Sequence, residues 1–315
     1  MKIAFTTQLP KEGFKRLAER GLTDWSWPND DASLNGTWQE ADILVSTFDY
    51  KVSREAIDAM PHLKLIANFG AGYNNIDLEA CRERGIRVTN TPQPVIEPTA
   101  ELAFALMIDI ARRVSEFDRA IRNGTGQPMA VMNNLSHSLY GKTLGIIGMG
   151  RIGQALARRA IASGMTIIYH NRHRLPAEIE QRYNAQYVDF QTLLQDSDFV
   201  SLNLPYTPEV HHIIGKPELG MMKRSAYLIN TARGAHVDEQ ALIEALRSGI
   251  IAGAALDVYE HEPAISSELL ALPNVVLSPH TGTGTWEGRI AMCECVTDNI
   301  LAFINNEFNK MNIVL

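Results

Sequence analysis

The sequence predicts an α/β fold built on parallel sheets. Three observations carry this reading. Short apolar runs alternate with amphipathic, helix-like stretches along most of the chain, which is the βαβ pattern of a parallel sheet. One strand-like run leads directly into a turn with glycines at 148, 150 and 153, and a helix-like stretch follows. The chain has 315 residues, and at roughly 150 residues per domain this favours two domains.

The elements follow in order. In the first third, residues 2–6, 41–46, 63–68 and 86–89 read as strands, with helical stretches at 10–20 and 53–60. Gly70, Ala71 and Gly72 follow the third run and must form a loop. Pro98 suits the first turn of a helix, where its missing N–H does no harm. That helix is expected to run unbroken from Thr99 to about Arg122, with Gly124 stopping it. Residues 123–141 read as a surface excursion. A second alternation begins at Lys142, with strands near 143–148, 165–169, 186–188, 198–202, 226–230, 252–256 and 274–278. Helices are expected between them, at 153–163 and 239–248 among others. The last helical stretch, 285–305, has no strand after it, as expected of a helix that returns to the first domain.

Composition narrows the function. The net charge is −7, with 45% apolar and 21% charged residues. These are ordinary globular values; they exclude a disordered chain and argue against a dedicated nucleic-acid binder. Three cysteines make no disulfide framework, and no Cys/His set has zinc-like spacing. Buried thiols in a reducing compartment are expected. The first ten residues turn polar too quickly for a signal peptide. No apolar run reaches the ~18 residues of a membrane helix, since Asp109 stops the run at 102–108. The expectation is a soluble cytoplasmic protein that binds neither nucleic acid nor membrane.

The glycine turn has the context that a dinucleotide site needs. Gly148 permits the tight turn, Gly150 lets a pyrophosphate approach the backbone, and Gly153 lets the helix pack on the strand. The helix N-terminus then offers unpaired N–H groups to the phosphates. The next strand ends in Tyr169-His170-Asn171-Arg172-His173-Arg174. An acid here would bind a ribose 2′-OH, whereas arginine accommodates a 2′-phosphate. Arg172 and Arg174 therefore favour NADP, with NAD as the alternative.

Four segments now converge. They are 68–77 (NFGAGYNNID), 144–153, 228–234 (LINTARG) through 255–263 (ALDVYEHEP), and 278–282 (SPHTG). Together they resemble the D-isomer-specific 2-hydroxyacid dehydrogenases, over nearly the whole chain. The look is nearest to glyoxylate and hydroxypyruvate reductases and related 2-ketoacid reductases.

The resemblance implies two Rossmann-like domains with parallel sheets. A cofactor domain, about 99–284, would be inserted into a flavodoxin-like substrate domain made of 1–98 and the C-terminal helix, 285–315. The active site would lie in the cleft between them, and the protein would be a homodimer acting on a small 2-keto or 2-hydroxy acid. Arg233 matches the arginine that binds the substrate carboxylate and polarises the keto oxygen. His280 matches the proton donor, and Glu262, just before Pro263, matches its carboxylate partner. Glu260 lacks that position before proline. Backbone N–H groups of Ala71 and Gly72 would hold the substrate carboxylate. Arg151 and Ile152 would meet the pyrophosphate, Thr231 and Ala232 the nicotinamide side, and Asp257 the nicotinamide amide. Asn171, Pro205 and Gly282 complete the expected cofactor contacts.

The chemistry is coherent on its own terms. Hydride transfer to a keto carbon builds charge on its oxygen, and a proton must arrive. Histidine suits that task near neutral pH, and a carboxylate partner favours the protonated imidazole. A fixed arginine grips a carboxylate bidentately and stabilises the developing oxyanion. His170, His211 and His212 read as surface or cofactor-rim groups. No metal site is expected from the Glu260, His261 and Glu262 run.

Departures from the family stand out. Relatives often carry a tryptophan before the glycine turn; residues 124–140 contain none and show Met129, Met132, Asn133 and Asn134 instead. Phe69 is bulky, and is expected to narrow the pocket or stack on a substrate side chain. Asn203 replaces a frequent histidine. Formate dehydrogenases of this fold carry glutamine where Glu262 stands, which disfavours formate oxidation. A dinucleotide-sensing regulatory protein on the same fold is the alternative of a different class.

Overall fold

Among the described residues twelve strands run parallel to their neighbours, in two separate sheets. A computed structural model describes residues 1–22, 25–26 and 38–315. The chain divides into two units: 1–98 with 283–315, and 99–282. The second unit is thus an insertion in the sequence of the first, and its end lies just before the 284/285 boundary expected.

The first unit holds β1 (Ile3–Phe5), β2 (Trp25–Ser26), β3 (Ile43–Thr47), β4 (Leu65–Phe69) and β5 (Arg87–Thr89). Their order is β2-β1-β3-β4-β5, the flavodoxin-like arrangement. Leu44, Ile66 and Val88 pack with Ile57 and Cys81 in one core cluster. Ser53 caps the helix Arg54–Asp58 through the Ala56 N–H, and Asp77 caps Leu78–Glu83 through the Ala80 N–H. The stretch expected as a helix over 10–20 is a 3-10 turn, Lys11–Phe14, followed by a short helix, Lys15–Glu19.

The C-terminal segment completes this unit. Its helix, Trp286–Ile304, is capped by Thr285. Thr297 Oγ1 donates to the Gly13 carbonyl at 2.8 Å and Asn299 Nδ2 to the Asn90 carbonyl at 3.1 Å. Beyond it, the Val314 N–H donates to the Val88 carbonyl at 2.8 Å and the Val88 N–H to the Leu315 carbonyl at 3.0 Å. The tail thereby covers the outer edge of β5. Cys81, Cys293 and Cys295 are all free; Cys295 is only partly buried, unlike the other two.

The second unit holds β6 (Thr143–Ile147), β7 (Thr166–His170), β8 (Ala185–Tyr187), β9 (Phe199–Leu202), β10 (Tyr227–Asn230), β11 (Gly253–Leu256) and β12 (Val275–Leu277). The order is β12-β11-β10-β9-β6-β7-β8. The strand order reverses between β6 and β9, and ligands in such sheets bind outside the strand C-termini at that point. The glycine turn follows β6 and therefore stands at this crevice. Val200, Leu228, Ala254 and Leu242 are buried in one core cluster.

One expectation fails here. The helix expected unbroken to Arg122 is two helices, Ile96–Arg112 and Val114–Arg122. Arg113 between them has φ +58°. Its guanidinium pairs with Glu116 and donates to the Leu135 carbonyl at 2.9 Å, while Asp109 accepts the Ser115 N–H at 2.7 Å. These bonds compensate for the left-handed residue and re-aim the chain. Between Arg122 and Thr143 there is no helix or strand. Among the described residues no helix is long and apolar enough to cross a membrane.

His236 ends the 3-10 turn Gly234–His236 and is 0% exposed. Burial pushes its imidazole down to about 4, helped by the Arg233 charge and opposed by the Pro205 carbonyl. A histidine held neutral in this way stabilises the fold fully above about pH 6.5. Below that the unfolded chain takes up the proton first, and stability is lost down to the folded value. The expected loss attributable to this group between pH 6.5 and 4 is about 3 kcal/mol. His236→Phe should remove that component, read as a flatter dependence of urea-unfolding free energy on pH.

Candidate active site

The glycine turn is built as its sequence requires. Gly148 has φ +90°, and a Cβ there would sit 2.9 Å from the Asn203 backbone. At Gly153 a Cβ would meet the Gly148 carbonyl at 2.7 Å, so the helix can lie close only with glycine. At Gly150 a Cβ would meet nothing within 4 Å; this side of the turn is open to a ligand. The helix Arg151–Ala162 begins there with no side-chain cap, so the N–H groups at Arg151 and Ile152 face outward as a phosphate site. Asn171 accepts the Met149 N–H at 2.7 Å and holds the turn from below. These features fit a dinucleotide pyrophosphate.

The two arginines beyond β7 differ. Arg174 makes a bidentate pair with Glu180, at 2.8 Å for both bonds. The Tyr169 hydroxyl donates to the same carboxylate at 2.7 Å. Arg174 and Tyr169 together hold the Glu180 carboxyl down to about 2. Arg172 is exposed and, among the described residues, makes no such bidentate pair; the Glu209 charge acts on it only at longer range. Of the two arginines that the sequence offers for a 2′-phosphate, Glu180 therefore engages Arg174.

On the other side of the crevice, Asn230 shapes the end of β10. It is buried, accepts the Ala232 N–H at 3.1 Å and donates to the Arg233 carbonyl at 2.9 Å. Thr231 Oγ1 is buried with no hydrogen-bond partner among the described residues, as fits a group awaiting a ligand. Arg233 is partly buried, and burial depresses its guanidinium below its ordinary value against the pull of the Glu262 charge. Pro205 lies in the loop after β9.

Asp257 follows β11 and is 1% exposed. Its Oδ1 accepts the Thr281 N–H and its Oδ2 the Gly282 N–H, both at 2.8 Å. Its backbone carbonyl takes the His280 N–H at 2.8 Å. Asp257 thus anchors the loop after β12, where the sequence had suggested only a nicotinamide contact. His280, at φ +52°, occupies a conformation that needs such support. Its Nδ1 lies 2.7 Å from Glu262 Oε2. Glu262 Oε1 accepts the Tyr259 N–H at 2.9 Å. Burial pushes the Glu262 carboxyl up, but the bonds from His280 and Tyr259 and the Arg233 charge outweigh it and hold the group below its ordinary value. Arg233, Glu262 and His280 are therefore one charged cluster, on the loops after β10, β11 and β12.

Glu260 belongs elsewhere. It accepts from the Glu239 N–H at 3.1 Å and lies 2.6 Å from His212 Nε2. His211, His212 and Glu260 bring three ligand atoms within 4.8 Å of one another, donor types that suit a transition metal. In this structure Glu260 is engaged by its protein partners.

Within the first unit, a loop follows β4. Asn68 Nδ2 donates to the Gly70 and Gly72 carbonyls at 3.2 and 2.8 Å. Asn90 Nδ2 donates to the Ala71 carbonyl at 2.9 Å, and the Thr91 N–H to the Gly70 carbonyl at 3.0 Å. With every carbonyl of the loop captured, the Ala71 and Gly72 N–H groups meet no acceptor among the described residues. Asn68 and Asn90 were not singled out from sequence, though Asn68 opens the 68–77 segment. Phe69, expected to narrow the pocket or stack on a substrate side chain, is 1% exposed and lies beneath the Arg289 guanidinium.

Known proteins share this architecture. Residues 104–282 match a family model described as D-isomer specific 2-hydroxyacid dehydrogenase, NAD binding domain. A glyoxylate reductase of Thermococcus litoralis is 48% identical over 314 residues, covering 97% of this chain and 94% of that protein. A solved Thermus thermophilus protein superposes with a TM-score of 0.91 at 40% identity, covering 100% of both chains. A Sinorhizobium meliloti NADPH-dependent glyoxylate/hydroxypyruvate reductase, solved with NADP and malonate, gives 0.83 at 31% identity, covering 96% of this chain and 93% of that one. The matched profile, the near-full-length identity and the two superposed sheets together make this chain an oxidoreductase of the D-isomer-specific 2-hydroxyacid dehydrogenase family.

Proposed function

We propose that the protein reduces a 2-keto acid of the glyoxylate/hydroxypyruvate type to the D-2-hydroxy acid, using NADPH in preference to NADH. The observation that carries this reading is the His280–Glu262 pair at 2.7 Å, in one cluster with Arg233. The likeness to a glyoxylate reductase at 48% identity supports the substrate type.

In this reading each residue has a task. The nicotinamide, when bound, supplies the hydride. Gly148, Gly150, Arg151, Ile152 and Gly153 receive the pyrophosphate; Thr231, Ala232, Asp257 and Gly282 flank the nicotinamide, Asn171 and Pro205 line the adenosine and central stretch, and Arg172 takes the 2′-phosphate. Ala71 and Gly72 N–H groups and the Arg233 guanidinium bind the substrate carboxylate. Arg233, always cationic, also stabilises the charge that builds on the keto oxygen. With Nδ1 engaged by Glu262, His280 gives its proton from Nε2 to that oxygen. Glu262, held below its ordinary value, stays ionised through the neutral range and orients the imidazole through Nδ1.

Two further parts of the reading concern assembly and setting. Met129, Val131 and Met132 are 100%, 92% and 75% exposed, with Ile121 and Leu135 nearby in sequence and also exposed. Such an apolar stretch suits a self-complementary interface and supports a homodimer. Three free cysteines support a reducing, cytoplasmic setting.

Three measurements check these roles. His280→Ala should lower kcat roughly 10²–10⁴-fold while NADPH affinity, followed by fluorescence titration, stays near wild type; wild-type turnover would remove His280 from its role. Arg172→Asp should shift the NADPH/NADH ratio of kcat/KM strongly toward NADH, and Arg174→Asp should shift it less because Glu180 already holds that guanidinium; equal shifts would contradict the assignment. Met129→Asp combined with Met132→Asp should give a monomer in sedimentation velocity where the wild type is a dimer.

A further inference from the structure

Phe69 ends β4 and stands immediately before Gly70, at the start of the loop whose Ala71 and Gly72 N–H groups meet no acceptor among the described residues. Its ring is buried, and the Arg289 guanidinium lies over it, 5.6 Å from the centroid. A cation therefore stands beside this loop, over the aromatic ring. Arg289 comes from the first turn of the helix Trp286–Ile304 and is partly buried. No carboxylate among the described residues forms an ion pair with it; Asp49 acts on it only at longer range. Arg16 and Arg54 are more exposed, yet each is paired, with Asp298 and Glu83. Burying a cation without an ionic partner is costly, and burial depresses the Arg289 guanidinium below its ordinary value. An anionic or oxygen-bearing ligand group at this position would offset that cost.

We propose that Arg289 is a specificity-determining residue that binds an oxygen substituent on C3 of the substrate. This inference rests on the reading that Ala71 and Gly72 hold the carboxylate of a 2-keto acid. Among such acids the C3 substituent is what differs: glyoxylate has no C3, pyruvate has a methyl there, and hydroxypyruvate a hydroxyl. A guanidinium presents a planar fork of donors, and its cation–π contact with Phe69 holds it beside the loop. A hydroxyl or carboxylate oxygen at C3 accepts from it. A methyl or aryl group would desolvate the cation and return nothing. Hydroxypyruvate-like acids are therefore preferred over glyoxylate and pyruvate.

The test compares kcat/KM for hydroxypyruvate, glyoxylate and pyruvate with NADPH, in the wild type, Arg289→Leu and Arg289→Lys. Ratios between substrates on one preparation do not depend on the folded fraction. Loss of a hydrogen bond to a charged group should reduce the hydroxypyruvate/glyoxylate ratio roughly tenfold or more in Arg289→Leu, mainly through KM for hydroxypyruvate. Arg289→Lys should recover part of it. Arg289→Gln gives the same comparison if the leucine variant does not fold. A ratio unchanged in the variants, with all substrates falling together, would overturn the proposal and leave Arg289 a structural residue. A wild type that binds NADPH but reduces none of the three acids would overturn the keto-acid reading itself, a result distinct from the first.

Discussion

The site in the second unit depends on one buried carboxylate. Asp257 is almost fully enclosed, and an ionised group there is tolerable only if its oxygens are satisfied. Thr281 and Gly282 satisfy them through backbone N–H groups, and the Asp257 backbone ties Asn230 to His280. The ends of β10, β11 and β12 are thereby fastened to one residue. His280 sits in a left-handed conformation that an unsupported loop would not hold, and its imidazole meets Glu262 because that loop cannot relax. The His280–Glu262 pair is a product of backbone hydrogen bonding before it is a product of side-chain chemistry.

The loop after β4 follows the same logic with opposite polarity. Here asparagine side chains take up the carbonyls of Gly70, Ala71 and Gly72. A peptide whose oxygen is bound on one side presents its N–H on the other. Ser46 Oγ donates to Asn68 Oδ1 at 3.1 Å inside the core, so the orienting amide is itself oriented. The outward-facing N–H groups are presented by neutral partners, with no lysine in the loop.

Much of this was legible in the sequence, for identifiable reasons. Eleven of the twelve strands stand close to the ranges where apolar runs placed them, since strands buried on both faces have few other readings. The glycine turn and the residues Arg233, Glu262 and His280 were legible because each sits at a punctuated position, beside glycine or proline. The exception among strands, β2, is two residues long and leaves no periodic pattern. The break at Arg113 was hidden because the helix there ends on side-chain bonds to Glu116 and the Leu135 carbonyl, with no glycine or proline to mark it. The capture of Arg174 by Glu180 looks in sequence like ordinary surface charge. Arg289 and Phe69 lie in distant segments, and periodicity says nothing of a contact made only in the folded unit.

The tail along β5 and the helix contacts to Gly13 and Asn90 bear on the order of assembly. The inserted unit, 99–282, is continuous in sequence and can complete its sheet as soon as it leaves the ribosome. The first unit precedes it but cannot close, because the segment that fills its groove at Gly13 and covers its strand edge is made only after the inserted unit. Until then the edge of β5 is open, and open edges invite pairing with other chains. Synthesis from the N-terminus normally favours the N-terminal domain; here it favours the inserted one, and the nascent first unit must wait, unsealed, for residues 283–315.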